Sequence, residues 1–187
     1  MTQANHTEQH TLVALVEDKP GVLTKVASMF RRRGFNIASL AVGKSEQPGL
    51  SRMTFVVNGD EDSVNQMTKQ LDKLIDVIKV SDISDEEIVA RELALIKVQT
   101  SASTRGEIIQ IVHLFRADIV DVGAQSMVIE ITGEEDKINA LHELLLPFGI
   151  TEMLRTGLVA MVRGRSNGQV SDNVGVENVS NGSHTPH

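Results

Sequence analysis

Residues 11–34 read TLVALVEDKPGVLTKVASMFRRRG, and this stretch decides the first two elements of the fold. Thr11 to Glu17 is a short, apolar, β-rich run that stops at Asp18-Lys19-Pro20-Gly21, a turn and helix-start signal. Leu23, Val26, Ala27 and Phe30 then recur at the spacing of one helical face, until Gly34 stands where a C-terminal cap belongs. Lys19 precedes a proline and is biased towards extended backbone, while Pro20 suits the first helical position. The run Arg31 to Arg33 falls in the last turn, where cations complement the helix dipole.

Working outward, Ile37 to Val42 and Met53 to Val57 read as a hairpin around Pro48-Gly49, with Met53, Phe55 and Val57 on one face. Val64, Met67, Leu71 and Leu74 mark a second helix, and Val77 to Val80 closes the unit with a strand. The order is βαββαβ. It returns after a charged stretch: strand from Leu93, helix face at Ile108, Ile111, Val112 and Phe115, strands at Ile119 to Val122 and Met127 to Ile131, and helix face at Ile138, Leu141, Leu144 and Leu145. Ile150 to Val162 ends the pattern in extended segments around Thr156-Gly157. Acidic first turns repeat as well, Gly59 to Asp62 matching Gly133 to Asp136, and Thr132 with Glu135 has capping-box spacing.

The pattern predicts an α+β chain of two ferredoxin-like βαββαβ domains in tandem. The expected divisions are a flexible N-terminus over 1–9, a first domain over 10–83, a linker over 84–92, a second domain over 93–163 and a disordered tail over 164–187. Each unit would be a four-stranded antiparallel sheet with both helices on one face. Its other face would be left bare, which predicts self-association.

Composition limits the function. The 187 residues are 41% hydrophobic and 23% charged, with a formal net charge of −7, values of an ordinary globular chain without a basic field. Trp and Tyr are absent, so neither basic clustering nor stacking aromatics supports a nucleic-acid binder. Cysteine is absent too, which removes disulfides, thiolate metal sites and cysteine nucleophiles and suits a cytoplasmic protein. No secretory signal or membrane-length apolar run is visible.

Catalytic apparatus is scarce. His6, His10, His184 and His187 lie in the expected flexible ends, and His113 and His142 stand alone on predicted helices. No phosphate loop, nucleophile elbow or zinc-protease motif occurs. The stretch with chemical content is Asp18-Lys19-Pro20-Gly21-Val22-Leu23, where strand turns into helix. Free amides at such an end accept an anion, and Gly21 permits its close approach. A free amino acid offers a carboxylate there, with Asp18 or Asn36 as acceptors for its ammonium and Ile37 as apolar wall. The plainer alternative is that Asp18 caps the helix and Asn36 makes a turn.

The segments LVEDKPGVL (residues 15–23) and FRRRGFNIASL (30–40) resemble an ACT domain, the small-molecule sensor of many amino-acid biosynthetic enzymes. LSRMT (50–54), KQLDKLIDV (69–77), RELALIKV (91–98), FRA (115–117), VDV (120–122) and RTG (155–157) further resemble the small-subunit family of acetohydroxyacid synthase, also called acetolactate synthase. That resemblance spans about residues 10–163. It implies that the first domain is an ACT domain and that the chain is a non-catalytic regulatory subunit, activating a large catalytic subunit and mediating feedback by a branched-chain amino acid, commonly valine. It implies a homodimer through the ACT domains, with the effector at the interface held by Asp18, Lys19, Pro20, Gly21, Val22, Leu23, Asn36 and Ile37. Thiamine diphosphate, Mg and FAD are then expected on the catalytic subunit and no cofactor or metal on this chain, with neither nucleic acid nor membrane as partner. Asp18 departs from the family, which has Asn there, and puts effector identity in question. The alternative is an ACT sensor for another biosynthetic enzyme; an acylphosphatase-like hydrolase would need an arginine-bearing phosphate loop where this chain has Asp18 and Pro20.

Overall fold

The computed structural model describes residues 8–164. The first half runs β1 (Glu8–Glu17), α1 (Val22–Arg32), β2 (Ile37–Lys44), β3 (Leu50–Gly59), α2 (Glu61–Leu71) and β4 (Val77–Asp82). The second repeats it: β5 (Ile88–Gln99), α3 (Arg105–Leu114), β6 (Asp118–Val122), β7 (Ser126–Gly133), α4 (Glu135–Leu145) and β8 (Ile150–Arg155), followed by β9 (Val159–Val162). The sheets are ordered β2-β3-β1-β4 and β6-β7-β5-β8, all neighbours antiparallel. Two ferredoxin-like βαββαβ units in tandem are therefore present.

Each unit has its own core because alternate strand residues meet the apolar stripes of its two helices. In the first, Leu12, Ala14 and Val16 of β1 and Met53, Phe55 and Val57 of β3 pack against Val22, Val26 and Phe30 of α1 and Val64, Met67 and Leu71 of α2. In the second, Ala94, Ile96, Val98, Met127, Ile129 and Ile131 face Ile108, Val112, Ile138, Leu141 and Leu145. Helix α1 ends as the arginine run and glycine predict. Gly34 sits at φ 74°, its amide donates to the Arg31 carbonyl, and Phe35 donates back to Phe30. The Phe35 ring meets Phe30 edge-on at 6.5 Å, the apolar contact that closes this type of cap.

Several expected boundaries move. The polar residues Glu8 and Gln9, read as a flexible end, extend β1 and pair with Gly59 and Asn58, because the long β3 offers them backbone partners. His10, placed in the same end, is buried with its Nδ1 3.2 Å from the Asp82 carboxylate. His6, His184 and His187, and the expected tail beyond Gly164, lie outside the described residues. The stretch 84–92 is only in part a connector. From Ile88 it is strand, pairing Ile88 with Val162 and Arg91 with Val159. Charge concealed this strand, since Arg91 and Glu92 interrupt any alternation. The Thr132–Glu135 capping box does not form: Glu134 is the N-cap residue of α4 and no side chain caps it. The matching turn in the first half is capped, Asp60 accepting from the Ser63 amide at 2.9 Å and its hydroxyl at 2.7 Å.

The largest difference concerns the bare sheet face. The ribbon formed by β9 and the start of β5 crosses the first sheet on the side away from its helices, which buries Thr54, Val56 and Ala160. The β8–β9 turn fixes it: the Leu158 amide donates to the Ser39 hydroxyl at 2.8 Å. Gly157, at φ 83°, lies so close that a Cβ there would stand 2.9 Å from the Leu40 carbonyl oxygen. The chain thus covers part of its own open face.

Candidate functional site

The turn from β1 into α1 is held by the hairpin beside it. The Asp18 amide donates to the Gly49 carbonyl at 2.8 Å, and the Glu17 amide to Asp76 at 2.9 Å. Lys19 folds back on Glu17, Nζ to Oε2 at 2.8 Å, and this bond holds its ammonium pKa above the ordinary lysine value. Pro20 is not the first helical residue. The helix starts at Val22 with Gly21 at the cap, in left-handed backbone at φ 87° and ψ −10°, a conformation glycine adopts without steric cost. The core-facing stripe of α1 is Val22, Val26, Met29 and Phe30, which leaves Leu23, expected on that face, 44% exposed.

This geometry removes the plainer reading of Asp18. No side chain caps α1, and neither the Asp18 carboxylate nor the Asn36 amide bonds any described residue. Val22 donates to the Lys19 carbonyl at 3.4 Å and Lys25 to Gly21 at 3.0 Å, whereas the amides of Gly21, Leu23 and Thr24 have no partner among the described residues. These are the orphan donors of a helix N-terminus, exposed with Asp18, Lys19 and Pro20 around them. One turn inward, Lys25 Nζ meets the largely buried Asp76 carboxylate at 2.6 Å. Sequence reasoning missed both residues, since no periodicity links position 25 to position 76.

The eight expected residues do not converge within one chain. Asp18, Lys19, Pro20, Gly21, Val22 and Leu23 are contiguous, at the end of the sheet where Glu17 pairs with Leu50. Asn36 and Ile37 lie at the other end, where Ile37 pairs with Val57. Seven positions along β3 separate these ends, roughly 23 Å at the rise of a strand. The edge strand β2 connects them, with Ile37 at the Asn36 end and Lys44 at the end of the Asp18 turn. Val42 on this edge strand is exposed, and so is Leu23 on α1.

Two family models match. The AHAS small subunit-like ACT domain matches residues 12–79, and the small subunit of acetolactate synthase, C-terminal model, matches 91–164. The acetolactate synthase small subunit of Mycolicibacterium smegmatis is 54% identical over 161 residues, covering 86% of this chain and 95% of that one. The chain belongs to the acetolactate synthase small-subunit family. Its Mycobacterium leprae relative is 53% identical over 155 residues, 83% of this chain and 92% of the relative. The crystal structure of the acetolactate synthase small subunit from Thermotoga maritima superposes with a TM-score of 0.79 at 45% identity, covering 84% of this chain and 99% of that one. Within the family frame, the two model matches fall on the two βαββαβ units, the first of which is an ACT domain. Among the described residues no cluster of acids and histidines could hold a metal ion, and no helix is long and apolar enough to cross a membrane.

Proposed function

We propose that this chain is the regulatory, non-catalytic partner of an acetolactate synthase catalytic chain, activating it and conferring feedback inhibition by a free branched-chain amino acid, valine foremost. The observation that carries the reading is the pairing, at one exposed turn, of three unengaged amides at Gly21, Leu23 and Thr24 with an unengaged carboxylate at Asp18. Such a turn presents donors to the effector's carboxylate and an acceptor to its ammonium. Thiamine diphosphate, Mg and FAD belong to the catalytic chain in this reading.

The effector site takes two copies of the chain. A ligand of amino-acid size cannot span the roughly 23 Å between the Asp18 turn and Asn36 at strand rise. A twofold axis that sets β2 against β2 of a partner protomer reverses its direction, bringing Asn36 and Ile37 of one copy towards the Asp18 turn of the other. The exposed Val42 of β2 would lie at that seam. Valine would then sit with its carboxylate on the Gly21 amides and its side chain against Ile37 of the partner protomer.

Calorimetry of the purified chain with a panel of free amino acids tests the effector. Inhibition curves of the enzyme reconstituted with its catalytic chain test its consequence. A branched-chain amino acid binding at one site per protomer is expected, with inhibition over the same concentrations. Acetolactate formation by this chain alone, or saturation by an unrelated amino acid only, overturns the proposal.

A further inference from the structure

The two tandem units close their first helices with the same turn but not with the same residues. In α1, Gly34 takes left-handed backbone at φ 74°, its amide donates to the Arg31 carbonyl and that of Phe35 to Phe30. In α3 the equivalent amides donate in the same way, Arg116 to His113 and Ala117 to Val112, each at 3.0 Å, but the left-handed position holds Arg116, at φ 51°. Among the described residues it is the only one other than glycine with positive φ. Glycine takes that conformation without steric cost, and a long side chain does not. The last helical turn is exchanged as well. Where α1 has the exposed Arg32, α3 has Leu114, 79% exposed and off the stripe of the buried Ile108 and Val112.

Neither residue serves the fold of its own unit. The exposed Arg116 guanidinium makes no hydrogen bond or ion pair with any described residue, the nearby Asp118 included, and Leu114 holds apolar surface in water. The corner also stands away from the β2 seam. The β8–β9 turn rests on Ser39 of β2, and β6, which follows Arg116, is the opposite edge of its sheet from β8. Three strand spacings, roughly 14 Å, lie between them.

We propose that the corner of Leu114 and Arg116 docks on the catalytic chain, the leucine in an apolar socket and the guanidinium on a carboxylate at its rim. The inference rests on the reading of this chain as that chain's partner. Backbone strain persists where function over-determines a residue, and arginine is enriched among the few residues that carry an interface's energy. An unpaired guanidinium selects a carboxylate, which it holds by two parallel bonds. A second copy of this chain is the competing occupant. A twofold contact centred on Leu114 would bring two unpaired guanidinium groups together. One leucine from each side also falls far short of the roughly 800 Å² per partner that a stable dimer buries. Charge and area therefore favour the catalytic chain, where the corner is one anchor of a larger interface.

The test is reconstitution of the catalytic chain with full-length variants, read beside their melting curves. Arg116→Gly should melt no lower than wild type, because the strain is relieved, yet the concentration of this chain that gives half-maximal activation should rise at least about tenfold. Arg116→Lys keeps both strain and charge and should recover part of that loss. Leu114→Gln should leave the melt in place and raise the half-activating concentration by about tenfold. Added salt should weaken wild-type association more than that of Arg116→Gly. Unchanged half-activation in both Arg116→Gly and Leu114→Gln overturns the docking surface and leaves the regulatory reading standing. Failure of the wild-type chain to associate with the catalytic chain overturns both. The proposal also falls if Arg116→Gly melts lower and loses activation in proportion, since the arginine then serves the fold. It falls equally if either variant breaks up an assembly larger than the dimer in sedimentation velocity, since a second copy then occupies the corner.

Discussion

Replacing Gly21 should separate feedback from activation, and the backbone at this residue sets how the experiment must be built. At φ 87° any side chain is strained, at a cost of about 1 kcal/mol. No atom lies within 4 Å of a Cβ placed there, so no clash is added, and the fold should survive. Asn and Asp tolerate left-handed backbone best and differ little in size, so Gly21→Asn reports the strain and Gly21→Asp the strain plus a negative charge. The charge falls where the effector's carboxylate meets the helix amides. Losing one charge-assisted hydrogen bond costs about 1.5–3 kcal/mol, which is roughly 10- to 150-fold in affinity. The assay is an inhibition curve against valine, leucine and isoleucine for enzyme reconstituted with each variant. The Asp variant should shift the midpoint by at least tenfold beyond the Asn variant, with uninhibited activity retained in both. Coincident curves for Asn and Asp would refute the placement of the carboxylate, and loss of activation in both would mean that the turn serves the fold or the catalytic partner instead.

Gly157→Ala should loosen the ribbon from the first sheet, since a Cβ would stand 2.9 Å from the Leu40 oxygen and φ is 83°; amide exchange in β9 should rise while the cores of both units stay protected. Lys25→Met should cost on the order of 1 kcal/mol, because the Asp76 carboxylate loses its cation while solvent already screens a lysine that is half exposed; the melting midpoint should fall by about 2–4 °C, and an unchanged melt counts against the pair. Hydrogen bonds from Ser63, its hydroxyl foremost, hold the Asp60 carboxyl below its ordinary value of 3.8. Its contribution to α2 is therefore full above that value and lost as pH falls through the lower folded value. Ser63→Ala, which removes the hydroxyl donor and keeps the amide, should flatten the acid limb of the stability–pH curve, and an identical limb in the variant would show that the hydroxyl bond contributes nothing.

The tandem architecture was legible because each strand and helix carries a clean period. Leu12, Ala14 and Val16 alternate as a half-buried strand must, and Val26, Phe30, Val64, Met67 and Leu71 keep helical spacing. The boundaries that moved share one cause: pairing partners are not written locally. Glu8 and Gln9 are strand because Asn58 and Gly59 lie opposite. Ile88 to Arg91 are strand because β9 returns some seventy positions later. Neither stretch names its partner, since backbone hydrogen bonds do not depend on side-chain type. Thr132 and Glu135 show the reverse error, where spacing met the capping rule and the backbone placed Glu134 at the cap instead.

The candidate site was legible as a list of residues and not as a place. Asp18 to Leu23 are contiguous, so their chemistry could be read from the turn itself, while Asn36 and Ile37 read as acceptor and apolar wall from their residue types just after Gly34, and the family resemblance implies the same set. Nothing in a linear pattern tells which end of a sheet a residue occupies. The register does: Glu17 opposite Leu50 and Ile37 opposite Val57 put the two groups at opposite ends of β3. A set of residues that must act together on one small ligand, and that a single fold holds apart, is a statement about assembly. If the family's residue set is correct for this chain, its effector affinity must depend on dimer formation and fall with dilution of the protein, because mass action couples the two equilibria. Residues that had been contiguous in one protomer would carry no such dependence, and it is the distance along β3 that turns a residue list into that demand.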